Sequence, residues 1–217
     1  MKFDCAIDDE YNRGLEAAQK AIESGKLVVL PTDTVYGLAA DAFSAVAVQR
    51  LLDAKGRTRQ MPPPVLVGAP TTLDALAIEI PTYLRNMVSA LWPGPLTVIC
   101  NQQPSLNWDL GDTRNTVAIR MPNDPRALAL LKQTGPLAVS SANMTGQAAA
   151  QNVDDARRML GESIAVYLDG GPTGSGVLST ILDVTGPTPR VLRNGAIDLA
   201  TLHEFNNTIE PMAGDPG

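Results

Sequence analysis

The feature that most constrains this chain is alternation. Short apolar runs bounded by Pro, Gly or polar clusters take turns with longer stretches in which apolar residues recur every three or four positions. "LVVLP" (27–31) is such a run, and so are "PVLVG" (64–68), "PLTVIC" (95–100), "TVAIRM" (116–121) and "PLAVSS" (136–141). Between them, Tyr11, Leu15, Ala18 and Ile22 make one apolar stripe within 9–24, closed by Gly25. "SAVAVQRLLDAK" (44–55) follows with Ser44 as N-cap, then "TTLDALAIEI", "PTYLRNMVSALW" and "DPRALALLKQTG" as further helices. Strands alternating with helices predict an α/β layered domain. Near the C-terminus "IAVYLD", "STILDV" and "PRVLR" come with no helix between the last two, so the sheet is expected to be mixed parallel and antiparallel with flanking helices. No linker or repeat divides the chain. One domain over 1–207 is expected, followed by a flexible tail over 208–217.

Composition narrows the function. The 217 residues are 44% hydrophobic, ample for a core, and the formal net charge is −6. That balance argues against a general nucleic-acid binder. Two cysteines, Cys5 and Cys100, fit a reducing compartment better than a disulfide framework. The start has no apolar leader and no apolar run reaches the length of a membrane span, so a soluble cytoplasmic protein without membrane contact is expected.

Four polar stretches fall at strand ends, where α/β sheets place ligands. "PTDTVYGL" (31–38) offers Thr34, Tyr36 and Asp33 in a tight turn; an ordinary β-turn with a buried Tyr fits it equally well. "AKGRTRQMPPPVLVG" (54–68) gathers Lys55, Arg57 and Arg59 ahead of three prolines. If this segment is extended, the three cations share one side and suit a polyanion. The plainer reading is a solvated charge run at a helix C-terminus. "VSSAN" (139–143) brings Val139, Ser141 and Asn143 to a strand end, and "GGPTGSGVLST" (170–180) ends in Ser179 and Thr180. The latter is no Walker A loop, since no Lys follows the last Gly. Arg120 and Arg193 lie on strands among apolar residues and need an anionic partner if buried. There is no metal-binding cluster, and the single His, His203, reads as a surface residue. An enzyme built this way works by positioning and electrostatics.

In order, "PTDTVYGLAADA", Lys55-Gly56-Arg57, "WPGPLT" (92–97), "TVAIRMP", Ser141-Ala142-Asn143 and "STILDV" with "VLRNG" resemble the threonylcarbamoyl-AMP synthase family with the YrdC-type fold, over roughly residues 10–200. The resemblance implies a cationic concave cavity and formation of threonylcarbamoyl-AMP and pyrophosphate from L-threonine, bicarbonate and ATP. A tRNA-modifying transferase complex then receives the adenylate, and a weak contact with tRNA itself is allowed for. By the same resemblance Lys55 and Arg57 are catalytic. Arg57, Thr116, Ser141, Asn143, Ala149 and Arg193 contact ATP. Thr34, Tyr36, Arg120, Val139 and Ser179 hold threonine. Mg²⁺ arrives with ATP, and no tightly bound protein metal is expected. The loop after Lys55-Gly56-Arg57 is about two residues longer than the family's pattern, and Gly68 stands near the position of a family His. The alternative is an RNA-binding module of the same fold that docks double-stranded RNA or tRNA without making an adenylate.

Overall fold

Val28, Val29 and Leu30 are buried on both sides, as expected of an interior strand. Their side chains alternate between two cores. Val28 and Leu30 pack with Leu15, Ile22 and Leu130, whereas Leu27 and Val29 pack with Leu51, Leu52 and Val153. A computed structural model describes residues 1–173 and 176–214 of the chain, and this strand lies near the middle of one half of its sheet.

The sheet has eleven strands among the described residues: β1 (Lys2–Asp4), β2 (Val28–Leu30), β3 (Gly37–Asp41), β4 (Val65–Leu66), β5 (Ala77–Ile78), β6 (Leu96–Gln102), β7 (Thr116–Arg120), β8 (Leu137–Ser141), β9 (Val166–Asp169), β10 (Thr180–Asp183) and β11 (Arg190–Arg193). Its order is β1-β9-β2-β3-β8-β4-β7-β6-β10-β11, with β5 paired to β6. Parallel pairs (β1 with β9, β4 with β7, β6 with β10) mix with antiparallel ones (β2 with β3, β3 with β8, β6 with β7). The mixed α/β sheet is therefore as expected. Four helices cover the β1–β8 half. Helices α1 (Asp8–Glu23) and α5 (Pro125–Thr134) contribute to one core, α2 (Ala45–Lys55) and α6 (Val153–Leu160) to the other. A third core, including Val98, Ile119, Leu84 and Met87, joins α3 (Thr72–Leu76), α4 (Thr82–Leu91) and α7 (Leu199–His203) to the β6–β7 half.

Caps set the helix boundaries. Ser44 Oγ accepts from the Ala47 amide, and Asp124 Oδ1 accepts from the Arg126 and Ala127 amides ahead of Pro125. Helix α2 ends at Gly56, whose φ of 61° is the left-handed conformation of a C-cap.

Three expectations need correction. "TTLDALAIEI" is helical only to Leu76; Ala77 turns extended and pairs with Gln102, Ile78 with Asn101, so these two residues form a short strand, which Glu79 ends with a φ of 55°. Residues Gly37–Asp41 form β3, filling the gap between β2 and β8. The tail is not loose from 208 onward. Ile209 is buried, its carbonyl lies 2.8 Å from His203 Nε2, and Glu210 bridges to Arg190 beside β11. His203 is thus half-buried and engaged. Residues 215–217 of the expected tail lie outside the described residues, as do Gly174 and Ser175 of "GGPTGSGVLST".

Candidate active site

Strand ends build a cavity of about 300 Å³. The turn before β3 supplies Thr32, Thr34 and Tyr36; β8 supplies Val139, Ser140 and Ser141; β7 supplies Thr116 and Arg120; β6 and β10 supply Thr97, Ile99 and Ile181. Arg193 ends β11, and Arg57 reaches in from beyond α2 with Pro62, Pro63 and Pro64. Leu110 and Thr113 come from the segment between β6 and β7. Of the residues named from sequence, Thr34, Tyr36, Arg57, Thr116, Arg120, Val139, Ser141, Ser179 and Arg193 line this one cavity.

Three guanidinium groups face it, in different electrostatic situations. Arg120 is 7% exposed and ion-paired: Nη2 donates to Asp33 Oδ1 at 2.5 Å, Nη1 to Thr34 Oγ1 at 3.0 Å, and Nε to the Gly94 carbonyl at 3.1 Å. Arg193 has no acidic partner among the described residues. Its Nε donates to the Ser179 carbonyl and its Nη2 to Ser179 Oγ, both at 2.9 Å. Burial first, then Arg120, lowers its pKa. Arg57 also lacks an acidic partner there. Its Nη1 donates to Ser140 Oγ at 2.9 Å, while its buried Nε–H has no partner among the described residues. Burial lowers its pKa too. Two desolvated cations without counter-ions make a cavity that favours an anion.

Neutral groups complete the polar end. Ser179 Oγ and Thr97 Oγ1 share a hydrogen bond at 2.8 Å. Tyr36 is fully buried; its hydroxyl donates to the Gly171 carbonyl and accepts from the Gly170 amide, pinning the start of the strap after β9. The other wall is apolar, with Leu66, Ile99, Leu110, Val117 and Ile181.

Lys55, Asn143 and Ala149 do not line the cavity. Lys55 is the last residue of α2, so it and Arg57 do not lie on one extended run; the left-handed Gly56 turns the chain between them. Lys55 Nζ is 2.5 Å from the Ser141 carbonyl, 2.6 Å from that of Asn143 and 3.3 Å from Asn143 Oδ1. Its three ammonium protons are matched by three acceptors. Asn143 in turn donates through Nδ2 to the Met144 and Gln147 carbonyls. Together they shape the turn that presents Ser141. Arg59 pairs with Asp109 and Asp112 at the rim. Gly68 packs against Leu131, away from the cavity. Sequence reasoning missed Thr97 and Ser140. Both are the polar members of mostly apolar strands, which was the available signal.

A family model for Sua5, YciO and YrdC proteins, described as "Telomere recombination", matches residues 20–195. The chain belongs to the Sua5/YciO/YrdC family. A Mycobacterium leprae relative, provisionally given the threonylcarbamoyl-AMP synthase name, is 51% identical over 93% of this chain and 92% of its own length. The Bacillus subtilis threonylcarbamoyl-AMP synthase is 36% identical over 92% of this chain and 58% of its own length. The crystal structure of Pyrococcus abyssi Sua5 complexed with L-threonine superposes with a TM-score of 0.89 at 32% identity, covering 97% of this chain and 62% of that one. Escherichia coli YciO shares the fold, with a TM-score of 0.79 at 21% identity. Within the Sua5/YciO/YrdC family, then, this cavity is the place to look for synthase chemistry. Among the described residues no three His, Cys, Asp or Glu side chains gather as a metal site, and no helix is long and apolar enough to cross a membrane.

Proposed function

We propose that this chain is an L-threonylcarbamoyladenylate synthase working in the cytoplasm. It joins L-threonine, bicarbonate and ATP into threonylcarbamoyl-AMP with release of pyrophosphate. The observation that carries the reading is the pair Arg57 and Arg193, desolvated at one cavity without acidic partners. The synthase relatives and the P. abyssi Sua5 complex with L-threonine support it. No comparison favours the RNA-binding alternative.

In this reading, threonine and bicarbonate give an N-carboxy anion, whose oxygen attacks the α-phosphorus while pyrophosphate leaves. Two anions meet, and the repulsion must be offset by cations held in place beforehand. Arg57 and Arg193 serve the phosphates by charge-assisted hydrogen bonds. Thr116 and Ser141 add neutral donors. Arg120, with Thr34 and Ser179, receives the amino acid, and Tyr36 and Val139 bound its pocket. The Arg120 donors not engaged by Asp33, Thr34 and Gly94 remain for the threonine carboxylate. Mg²⁺ enters as MgATP; among the described residues the cavity lining contains no carboxylate to hold it separately. Lys55 contributes by holding the Ser141 turn rather than by touching phosphate. The adenylate passes to a tRNA-modifying transferase.

The test is pyrophosphate release with mass spectrometry of the product. Release is expected only when ATP, bicarbonate and threonine are all present. Release without threonine would overturn the reading.

A further inference from the structure

Arg59 has no contact with the cavity, yet it joins the two segments that roof it. One is 56–64, which brings Arg57 and the three prolines to the cavity; the other is 103–115, which brings Leu110 and Thr113. Arg59 Nη2 lies 2.6 Å from Asp109 Oδ1, and its Nε lies 3.9 Å from Asp112 Oδ1. Its carbonyl accepts from the Asp112 amide at 2.8 Å. Gly111 is part of the fit. Its φ is +106°, and a Cβ there would stand 2.6 Å from the Arg59 carbonyl oxygen.

The two segments differ in stiffness. Prolines at 62, 63 and 64 fix one arm. The other ends in Arg114 and Asn115, consecutive non-glycine residues with φ of 52° and 62°. Such backbone persists only where its surroundings hold it, and it marks a point that relaxes when they let go. Thr116 of the cavity follows directly. Farther out, Trp108 packs on Phe43, with ring centroids 5.4 Å apart.

Leu110 anchors the segment in the core at 2% exposure, so the part of the fastening that can open easily is the ion pair. Both members of the Arg59–Asp109 pair are nearly half exposed, where an ion pair is easily broken and is screened by salt. The cavity, at about 300 Å³ and partly open to solvent, is at the lower limit for a single drug-sized ligand. A nucleoside triphosphate together with an amino acid needs more room than that, and the space lies under these two segments. We infer that Arg59 is the catch of a gate: segment 103–115 swings from segment 56–64 to admit substrate, and the Arg59–Asp109 pair closes it again for the reaction. Closure excludes water, which would otherwise cleave the carbonyl–oxygen bond of threonylcarbamoyl-AMP to give AMP and N-carboxythreonine. Arg59 is a positioning residue in this scheme. The inference rests on the proposed synthase activity for its substrate, but not for the gate itself.

The test compares the whole chain with Arg59→Ala, Arg59→Lys, Asp109→Asn and Arg59→Ala/Asp109→Asn. Amide hydrogen exchange across 103–112 is read without ligand, and the dissociation rate of MgATP by stopped flow. Arg59→Ala is expected to speed both by about two- to fivefold, the range that an exposed ion pair allows. Asp109→Asn should do the same, the double variant should be no worse than either, and Arg59→Lys should recover most of the loss. The wild-type advantage should shrink at high salt. Unchanged exchange in Arg59→Ala overturns the catch whatever the cavity binds. Faster exchange with unchanged MgATP dissociation overturns the gate and leaves a surface tie. If MgATP fails to bind the wild type, the proposed activity falls and exchange alone decides the catch.

Discussion

Arg193 grips Ser179 twice, through Nε to its carbonyl and through Nη2 to its hydroxyl. That contact joins a residue assigned to ATP with one assigned to threonine, so neither can be altered alone. Arg193→Ala is expected to weaken ATP by the value of a charge-assisted hydrogen bond, about 1.5–3 kcal/mol. Ser179→Ala leaves the carbonyl contact and frees Nη2. It should raise KM for threonine and, by a smaller factor, Kd for ATP. Calorimetric titration of each ligand checks this. A Ser179→Ala effect confined to threonine would show that the grip does not position Arg193.

Arg57 holds a buried Nε–H that finds no acceptor among the described residues. Such a donor costs stability until a ligand satisfies it, by roughly 1–3 kcal/mol. Arg57→Met should therefore keep or raise the melting temperature of the free protein while ATP affinity drops at least tenfold, about 1.4 kcal/mol. A lower melting temperature with affinity intact would place the anion elsewhere. Differential scanning calorimetry with and without MgATP separates the two.

Asp33 and Arg120 form a buried pair, the side chains 14% and 8% exposed. Removing one partner strands the other, at a cost on the order of 3–5 kcal/mol. Asp33→Asn is expected to destabilise the fold by an amount near the lower end, since the amide oxygen can still accept from Nη2. Arg120→Lys keeps the charge and loses the fork, so it should raise KM for threonine more than for ATP. Urea unfolding and steady-state kinetics measure these. Equal effects on both substrates would remove Arg120 from the amino-acid pocket.

Burial, and then Arg57 nearby, push the Lys55 ammonium down to about 8 from 10.5. The folded pKa is below the unfolded one. Between pH 8 and 10.5 the unfolded chain thus binds the extra proton, and this group's contribution to stability rises with pH. It falls away again as pH drops through 8. The slope is at most about 1.4 kcal/mol per pH unit. Urea unfolding of wild type and Lys55→Met from pH 7 to 10 should show the difference between them moving in favour of wild type. A flat difference would mean that the carbonyls of Ser141 and Asn143 keep the proton on Lys55.

Much of the fold is legible in the sequence where local pattern and burial agree. "LVVLP", the Ser44 cap and the stripe from Tyr11 to Ile22 are of this kind. Strand β3 escaped because Gly37, Ala39 and Ala40 have little intrinsic preference for a strand; pairing to β2 and β8 makes it one. In the cavity, Arg120 and Arg193 were legible because an Arg among apolar strand residues requires a partner. The sequence placed Lys55 at the end of a helix, but not the left-handed Gly56 that turns Arg57 toward the cavity and leaves Lys55 on the Ser141 and Asn143 carbonyls. That Arg59 would meet Asp109 was also beyond reach, since fifty residues separate them and only the folded sheet brings their loops together.

The tail beyond 207 offers a simple check on packing. Ile209 is 2% exposed and buries its side chain with Leu202 and Val191. Deleting residues 208–217 is expected to cost about 1.5–3 kcal/mol, the value of one such side chain. Denaturant midpoints of the shortened chain would reveal it. No change would mean that the tail is dispensable despite its burial.

Strand β1 lies at one edge of the sheet and pairs in parallel only with β9, Lys2 opposite Tyr167 and Asp4 opposite Asp169. During synthesis β1 therefore waits for its neighbour until β9 has been made, about three-quarters of the way along these 217 residues. At about 5–20 residues per second that wait is roughly ten to thirty seconds. For that time Phe3 lacks Leu168, its register partner on β9, whereas the inner face of α1 already has β2, β3 and then α5 to pack against. Among the described strands, β1 is the one that waits longest for a neighbour to be made.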